Sequence, residues 1–320
     1  ENGNVYFDTS KFESYYDLCG HVPSDEDTQA RVDEDSAKKN KQDFVLWFTK
    51  SKFGNQDMQW DSPWGRGFPG WHIECSAMSI KYLGEQFDIH CGGVDHVPIH
   101  HTNEIAQAEA ATGKKPWVKY WMHNEFLVMD KGKMSKSSGD FLRMKTVLEK
   151  GYDPLVYRFF LLGAHYRQQL KFSWEGMDGA ENSFKRLKEK ILLLKDEIAS
   201  WKDPDVKGHD YHVRFVEALN DDLNTPNALA VMWSVLRDDE LGSKEKLPLL
   251  MEFDKVLGFG FETWEKEQVE ASGEVQKLLK ERENARHAKD WAKADAFRDQ
   301  IKELGFEIID GDNGPELKKV

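Results

Sequence analysis

Three apolar segments of different periodicity follow one another between Phe87 and Asp130, and their order limits the fold more than any other feature of the chain. "FDIHCGG", from Phe87 to Gly93, reads as a short buried strand, Pro98 to Thr112 as a helix, and "EFLVMD", from Glu125 to Asp130, as a second strand. A helix between two strands is the crossover that parallel pairing requires, so this order predicts an α/β domain with a parallel sheet. Upstream, "DFVLWFTK" and "WDSPWGRGFPGWHIECSAMSIKYLG" carry apolar spacing, and Pro69 and Gly70 punctuate the entry to a helix from about His72 to Leu83. Between His21 and Gln42 the chain is polar and almost without periodicity, which reads as a flexible connection. The chain opens without methionine on a strand-like segment, Val5 to Phe7, so the numbering is expected to begin inside a larger protein.

Beyond Arg143 the character changes to long helices. Phe184, Leu187, Ile191, Leu194, Ile198 and Trp201 follow steps of three and four, one apolar stripe on a helix of a bundle. "LNTPNALAVMWSVLRD" starts another helix, with Thr225 as N-cap and Pro226 at the first helical position. Near Glu274 a last unit begins, in which one helix leads to a second capped by Asp290 and Gly305, and "FEIIDG" closes it as a strand.

At 320 residues and 39% hydrophobic content the chain is long enough for two or three domains with proper cores. No apolar run of membrane-spanning length occurs and the first residues lack the order of a signal peptide, so a soluble cytoplasmic protein with no membrane partner is expected. The cysteines Cys19, Cys75 and Cys91 are odd in number and widely spaced; free thiols or metal ligands fit them better than a disulfide framework. A formal net charge of -13 argues against a nonspecific nucleic-acid binder and confines any such contact to local patches.

Two stretches carry chemistry. In "VDHVPIHHTNEIAQAEAATGKK", His100 and Glu104 lie four residues apart, one turn along a helix, where they could share a metal ion or a hydrogen bond. Alone, such a pair is most often a solvated helix face. "KGKMSKSSGD", Lys131 to Asp140, sets lysines and serines on a glycine-flanked loop directly after a strand, which suits a clamp on phosphate oxygens or, without context, an exposed basic turn. Gly92 and Gly93 allow close backbone approach at a strand end, and Asp95 after them can bind ribose hydroxyls.

Taken together, Lys133-Met134-Ser135-Lys136-Ser137, "SPWGRGFPGWHIECSAMS" and "HHTNEIAQ" resemble the class I aminoacyl-tRNA synthetases, and specifically the cysteinyl-tRNA synthetase family, over nearly the whole chain. The resemblance implies a Zn²⁺ at the floor of the amino-acid pocket, held by the matching positions Cys75, His100 and Glu104. It implies that Trp71 and His90 border that pocket, although Trp71 reads equally well as a core residue, and that Gly92, Gly93 and Asp95 meet ATP, the substrate with Mg²⁺. Lys136, with Lys133, would stabilise the phosphates while cysteine's carboxylate attacks the α-phosphate, and the adenylate would then pass cysteine to tRNA(Cys). Cys75 lies near a helix start, where the dipole and a metal both favour thiolate. Zinc would read sulfur directly, which an apolar pocket separates from near-isosteres by only about 1 to 3 kcal/mol.

The implied organisation is the C-terminal part of a Rossmann-like catalytic domain with a connective insertion over residues 1–140, a stem-contact region and helical bundle over 141–265, and a small mixed anticodon-binding module over 266–320. From Gln276 to Gly305, eight Lys or Arg stand against six acids, and "RHAKDWAKADAFRDQ" with "IIDG" matches the family's anticodon reader at Arg286, Asp295 and Asp310, which would bond base edges in an unstacked loop. Departures also matter. Cys91 stands where the family often has glycine, His101 has no assignment, and Cys19 lies in the wrong surroundings for a fourth zinc ligand. None of the eleven histidines begins the family's His-x-Gly-His signature, so the chain acting alone, without an N-terminal segment that carries it, is expected not to form adenylate. Two alternatives remain open on these residues: a ligase that joins cysteine to an amino sugar in thiol biosynthesis, and a noncatalytic zinc- or tRNA-binding fragment.

Overall fold

A computed structural model describes residues 3–21, 38–51, 56–129, 142–198, 206, 209–266, 272–311 and 314–319. The connection expected from His21 to Gln42 therefore lies mostly outside the described residues, as do Trp201 and the lysine-serine loop with Lys133 and Lys136. The chain divides into two compact units, residues 1–187 with 202–253 and residues 188–201 with 254–320.

In the first unit, β1 (Val5–Phe7), β2 (Phe44–Phe48) and β3 (Phe68–Pro69) form an antiparallel sheet in that order. Gly67 and Gly70 permit it: a Cβ at either would lie within 2 Å of the carbonyl oxygen of Phe48 or Val45. Asp43, buried before β2, accepts from Thr9 N and Oγ1 and from the backbone of Lys39 and Asn40, which ties the opening segment to the sheet. Helix α1 (Trp71–Leu83) follows at once, then β4 (Phe87–Gly93), α2 (Thr102–Thr112) and β5 (Val118–Asn124).

The expected parallel pairing is present, but with a different partner. β4 pairs in parallel with β5, a strand the sequence reading passed over, and β6 (Leu127–Met129), the core of "EFLVMD", pairs in parallel with β7 (Leu170–Phe172) in a separate sheet. Nor is β4 buried: Ile89 and its register partner Tyr120 are 55% and 67% exposed. The start of the pair is where the core lies, with Trp117, Val118 and Ala108 packed together and Phe87 and Trp121 against them.

Helices α3 (Met144–Glu149), α4 (Pro154–Leu162), α5 (Trp174–Glu197), α6 (Asp210–Asn220), α7 (Thr225–Arg237) and α8 (Ser243–Leu257) account for the rest of this unit, with the ends of α5 and α8 assigned to the second. The stripe on α5 is buried at Phe184, Leu187, Ile191 and Leu194, each worth about 1.5 to 3 kcal/mol of burial. Ile198 falls just beyond the helix and is half-buried. The cap of α7 is Asn224, whose side chain accepts from Asn227 N, so Thr225 takes the first helical position and Pro226 the second. A carboxamide oxygen reaches the orphan amide here, and the extra residue lets Asp222 and Leu223 turn at positive φ.

The second unit holds α9 (Gly273–His287), α10 (Trp291–Glu303) and the antiparallel hairpin of β8 (Phe306–Gly311) and β9 (Gly314–Lys319). Asp290 caps α10 by accepting from Lys293 N, and Gly305 leaves it at φ 84°. Asp254 accepts from the backbone of Phe259, Gly260 and Phe261 and closes the turn after α8.

Candidate metal and nucleic-acid sites

Glu104 is the centre of the first site. It stands in the first turn of α2, wholly buried, directly after a π-helical turn, Val97–His101, of the wide kind that recurs at functional sites. Three imidazoles surround its carboxylate: His90 Nε2 at 3.4 Å and His101 Nε2 at 4.0 Å from Oε2, and His100 Nε2 at 3.6 Å from Oε1. Cys75, on α1, completes a group in which Sγ, a His100 nitrogen and a Glu104 oxygen all lie within 4.8 Å of one another. A second group, His90, His101 and Glu104, meets the same limit and shares the carboxylate.

The helices are locked so that these donors stay together. Gln107, one turn beyond Glu104, donates from Nε2 to Ser76 Oγ and to the His72 carbonyl, both at 2.7 Å, which clamps α2 to α1. His72 Nδ1 and His100 Nδ1 share a hydrogen bond of 3.0 Å, leaving His100 Nε2 toward Glu104. His101 Nδ1 and His123 Nε2 share another at 2.8 Å. A hydrogen bond between Tyr15 Oη and Asn103 Oδ1 holds the opening segment against the same helix.

Electrostatics make this an unusual cluster. Burial lowers the pKa of His72 to about 3, of His100 to about 4 and of His101 to about 2, and also lowers His90 and His123, so these rings are neutral. Burial raises Glu104 to about 8, and the neighbouring Cys75 thiol only partly opposes it. Neither Glu104 oxygen has a hydrogen bond of normal geometry, although buried carboxylates are ordinarily satisfied. The expected dipole effect at Cys75 is overruled: burial, with Glu104 beside it, pushes the thiol up to about 11. A buried carboxyl without a hydrogen-bond partner, among neutral nitrogen donors and a thiol, offers the donor set of a divalent cation that would draw its proton off, and sulfur, imidazole nitrogen and carboxylate oxygen together suit Zn²⁺.

Trp71 is 58% exposed rather than a core residue, and its ring sits 4.3 Å from that of His100. His90 stacks on Trp121 at 4.8 Å. Gly92 is required where it stands, because a Cβ would lie 2.4 Å from the His101 ring, and Gly93 leads into a 3-10 turn that carries Asp95. The sequence reading missed His72 and His123 and left His101 without an assignment. For His72 a signal existed, since it precedes Cys75 by three residues on one helical face. His123 lay on the unread strand β5.

In the second unit, Arg286 Nη1 reaches Asp310 Oδ1 at 2.6 Å, so two of the three expected base-reading residues are joined. Asp295 pairs with Arg298 at 3.1 Å on its own helix, and its charge is also felt by Arg282. Arg282, also missed from sequence, holds Asp310 with both guanidinium ends. Trp291, 60% exposed at the start of α10, offers a flat apolar face on the same module.

Known protein families match three stretches of the chain. A model for the class I (C) tRNA synthetase catalytic domain matches residues 1–182, a DALR domain model matches 214–241, and one for the cysteinyl-tRNA ligase anticodon binding domain matches 269–314. The chain thus carries the catalytic domain of a class I aminoacyl-tRNA synthetase. The cysteine–tRNA ligase of Treponema denticola is 46% identical, aligned over 99% of this chain and 70% of its own length. That of Borrelia hermsii is 39% identical over 99% and 69%, and cysteine–tRNA ligase 1 of Burkholderia lata 44% over 98% and 65%. The chain belongs to the cysteine–tRNA ligase family. No helix among the described residues is long and apolar enough to cross a membrane.

Proposed function

We propose that this chain acts in the ATP-dependent joining of L-cysteine to tRNA(Cys), and that Cys75, His100 and Glu104 hold a Zn²⁺ that selects the amino acid. The observation that carries the reading is Glu104: a fully buried carboxylate with both oxygens unpartnered, next to a thiol and an imidazole within ligating reach. Bound there, zinc is a Lewis acid that prefers a substrate thiolate to a hydroxyl. The protein's part is orientation. His72 fixes the His100 ring so that Nε2 faces inward, Gln107 keeps Cys75 and Glu104 on facing helices, and Trp71 closes over His100 from the solvent side. His90 lines the floor beside Glu104.

In this reading Gly92 and Gly93 admit the nucleotide close to the backbone, Asp95 receives the ribose hydroxyls, and Lys133 and Lys136 stabilise the phosphates, with Mg²⁺ carried by ATP. Residues 1–140 are the catalytic part, 141–265 the stem-contact region and helical bundle, and 266–320 the anticodon reader through Arg286, Asp295 and Asp310. The match of an anticodon-binding domain over 269–314 speaks against an amino-sugar ligase, and the identity to ligases along the whole chain speaks against a noncatalytic binding fragment.

Equilibrium dialysis of labelled cysteine and serine against the zinc-loaded protein tests the reading. Cysteine is expected to be retained more than about a thousandfold more tightly than serine, about 4 kcal/mol and beyond what pocket shape alone separates. Equal retention of the two would overturn it.

A further inference from the structure

Arg282 occupies a position that a charged residue rarely takes. It lies on α9, only 6% exposed, and spends its guanidinium on two carboxylates: Nη1 donates to Asp310 Oδ1 at 2.8 Å and to Glu283 Oε1 at 3.0 Å, and Nη2 donates to Asp310 Oδ2 at 2.7 Å. Arg286, one turn further on the same helix, adds the 2.6 Å contact to Asp310 Oδ1. The Asp310 side chain remains 47% exposed and that of Arg286 36% exposed, whereas the Arg282 side chain is 7% exposed.

An ionised carboxylate offers four acceptor positions. Arg282 takes one position on each oxygen of Asp310 and Arg286 stands at 2.6 Å from Oδ1, so Oδ2 keeps acceptor capacity on a side chain that is 47% exposed. The forked pair with Arg282 fixes both the plane and the rotation of the carboxylate, as a single-point lysine cannot. Arg282 also keeps its pair with Asp310 without Arg286, so Arg286 can exchange its carboxylate for a base acceptor while the buried charge, that of Arg282, stays paired.

We propose that Arg282 is the positioning residue of the RNA-reading surface: from inside the module it sets the Asp310 carboxylate so that its remaining acceptor, and the Arg286 guanidinium beside it, present a donor-acceptor pair to the edge of an unstacked base. This rests on the reading of residues 266–320 as an anticodon reader. Carboxylates take base amino groups and arginines take base carbonyl and ring-nitrogen acceptors, and either preference is lost when the group can rotate.

The test is binding of the full chain to a tRNA(Cys) transcript and to the same transcript with each anticodon base changed, at one salt concentration. Arg282→Lys keeps the charge and loses the fork; it is expected to reduce discrimination between the transcripts about tenfold while circular dichroism keeps its helical signal. Glu283→Gln, which removes the other partner of Arg282, is expected to leave discrimination unchanged. If Arg282→Lys unfolds the module, Asp310→Glu keeps the ion pair but displaces the carboxylate by one methylene, and the same loss is expected. Unchanged discrimination in Arg282→Lys, or in Asp310→Glu where that variant replaces it, overturns the proposal, as does equal weakening toward every transcript. An unaltered chain that binds all the transcripts alike removes the anticodon reading itself, and the proposal with it.

Discussion

The two polar clusters of this chain are built from similar groups and end in opposite states. Around Glu104 a buried carboxyl has neutral imidazoles and a thiol beside it and no hydrogen bond of normal geometry to either oxygen. Around Asp310 a half-exposed carboxylate has two charge-assisted hydrogen bonds from Arg282, an ion pair with Arg286 and a pKa lowered to about 2, chiefly by Arg282. Among the described residues only neutral imidazoles and the thiol approach the first, whereas two arginines face the second. Unmet demand in a buried cluster marks a place where a ligand completes the structure, whereas a satisfied cluster at the surface marks groups held in position for a partner.

The sharpest way to break this contrast is to remove the demand. In Glu104→Leu the unpartnered carboxylate is gone, so the metal-free protein is expected to gain about 1 to 3 kcal/mol of stability in chelator-treated thermal unfolding. The same substitution removes any stabilisation by added zinc. A loss of metal-free stability in this variant would mean that the carboxylate is satisfied within the fold and that the contrast is false.

A smaller effect is expected at Asp310. Its folded pKa lies below the ordinary carboxylate value of about 3.9, so its ion pairs contribute stability that is fully present above that value and lost as the pH falls through about 2. Acid unfolding followed through the second unit is therefore expected to be flat from pH 7 to about 5 and to lose this contribution between about 4 and 2. Asp310→Asn is expected to lack that step. The magnitude is modest because the carboxylate is half-exposed and solvent screens it.

How far the sequence disclosed these sites follows from how local each signal was. His100 and Glu104 were legible from a four-residue helical spacing, and the structure places them on adjacent turns, although the first of those turns is a π turn that no spacing announced. Cys75 comes from another helix, and only the family resemblance joined it to them. Arg282 was not legible, because a charged residue on a charged helix reads as a solvated face until Asp310 arrives from β8 to bury it. Strand β5 was missed for a related reason: Val118 is buried, Lys119 and Tyr120 are exposed and Trp121 to His123 are intermediate, so the segment has no two-residue alternation to read. Asp290 was correctly read as a cap, while at α7 the cap moved one residue back to Asn224, since two suitable residues stood side by side and only the backbone turn chose between them.

The claim on which the contrast rests is that Cys75, His100 and Glu104 form one zinc site, and metal content measured by mass spectrometry on protein loaded with zinc and then dialysed tests it most directly. One zinc per chain is expected in the unaltered protein and essentially none in Cys75→Ala or Glu104→Leu, each of which removes a ligand from the group. A full equivalent of zinc retained by Cys75→Ala would move the metal to His90, His101 and Glu104, and protein that holds no zinc at all would contradict the site outright.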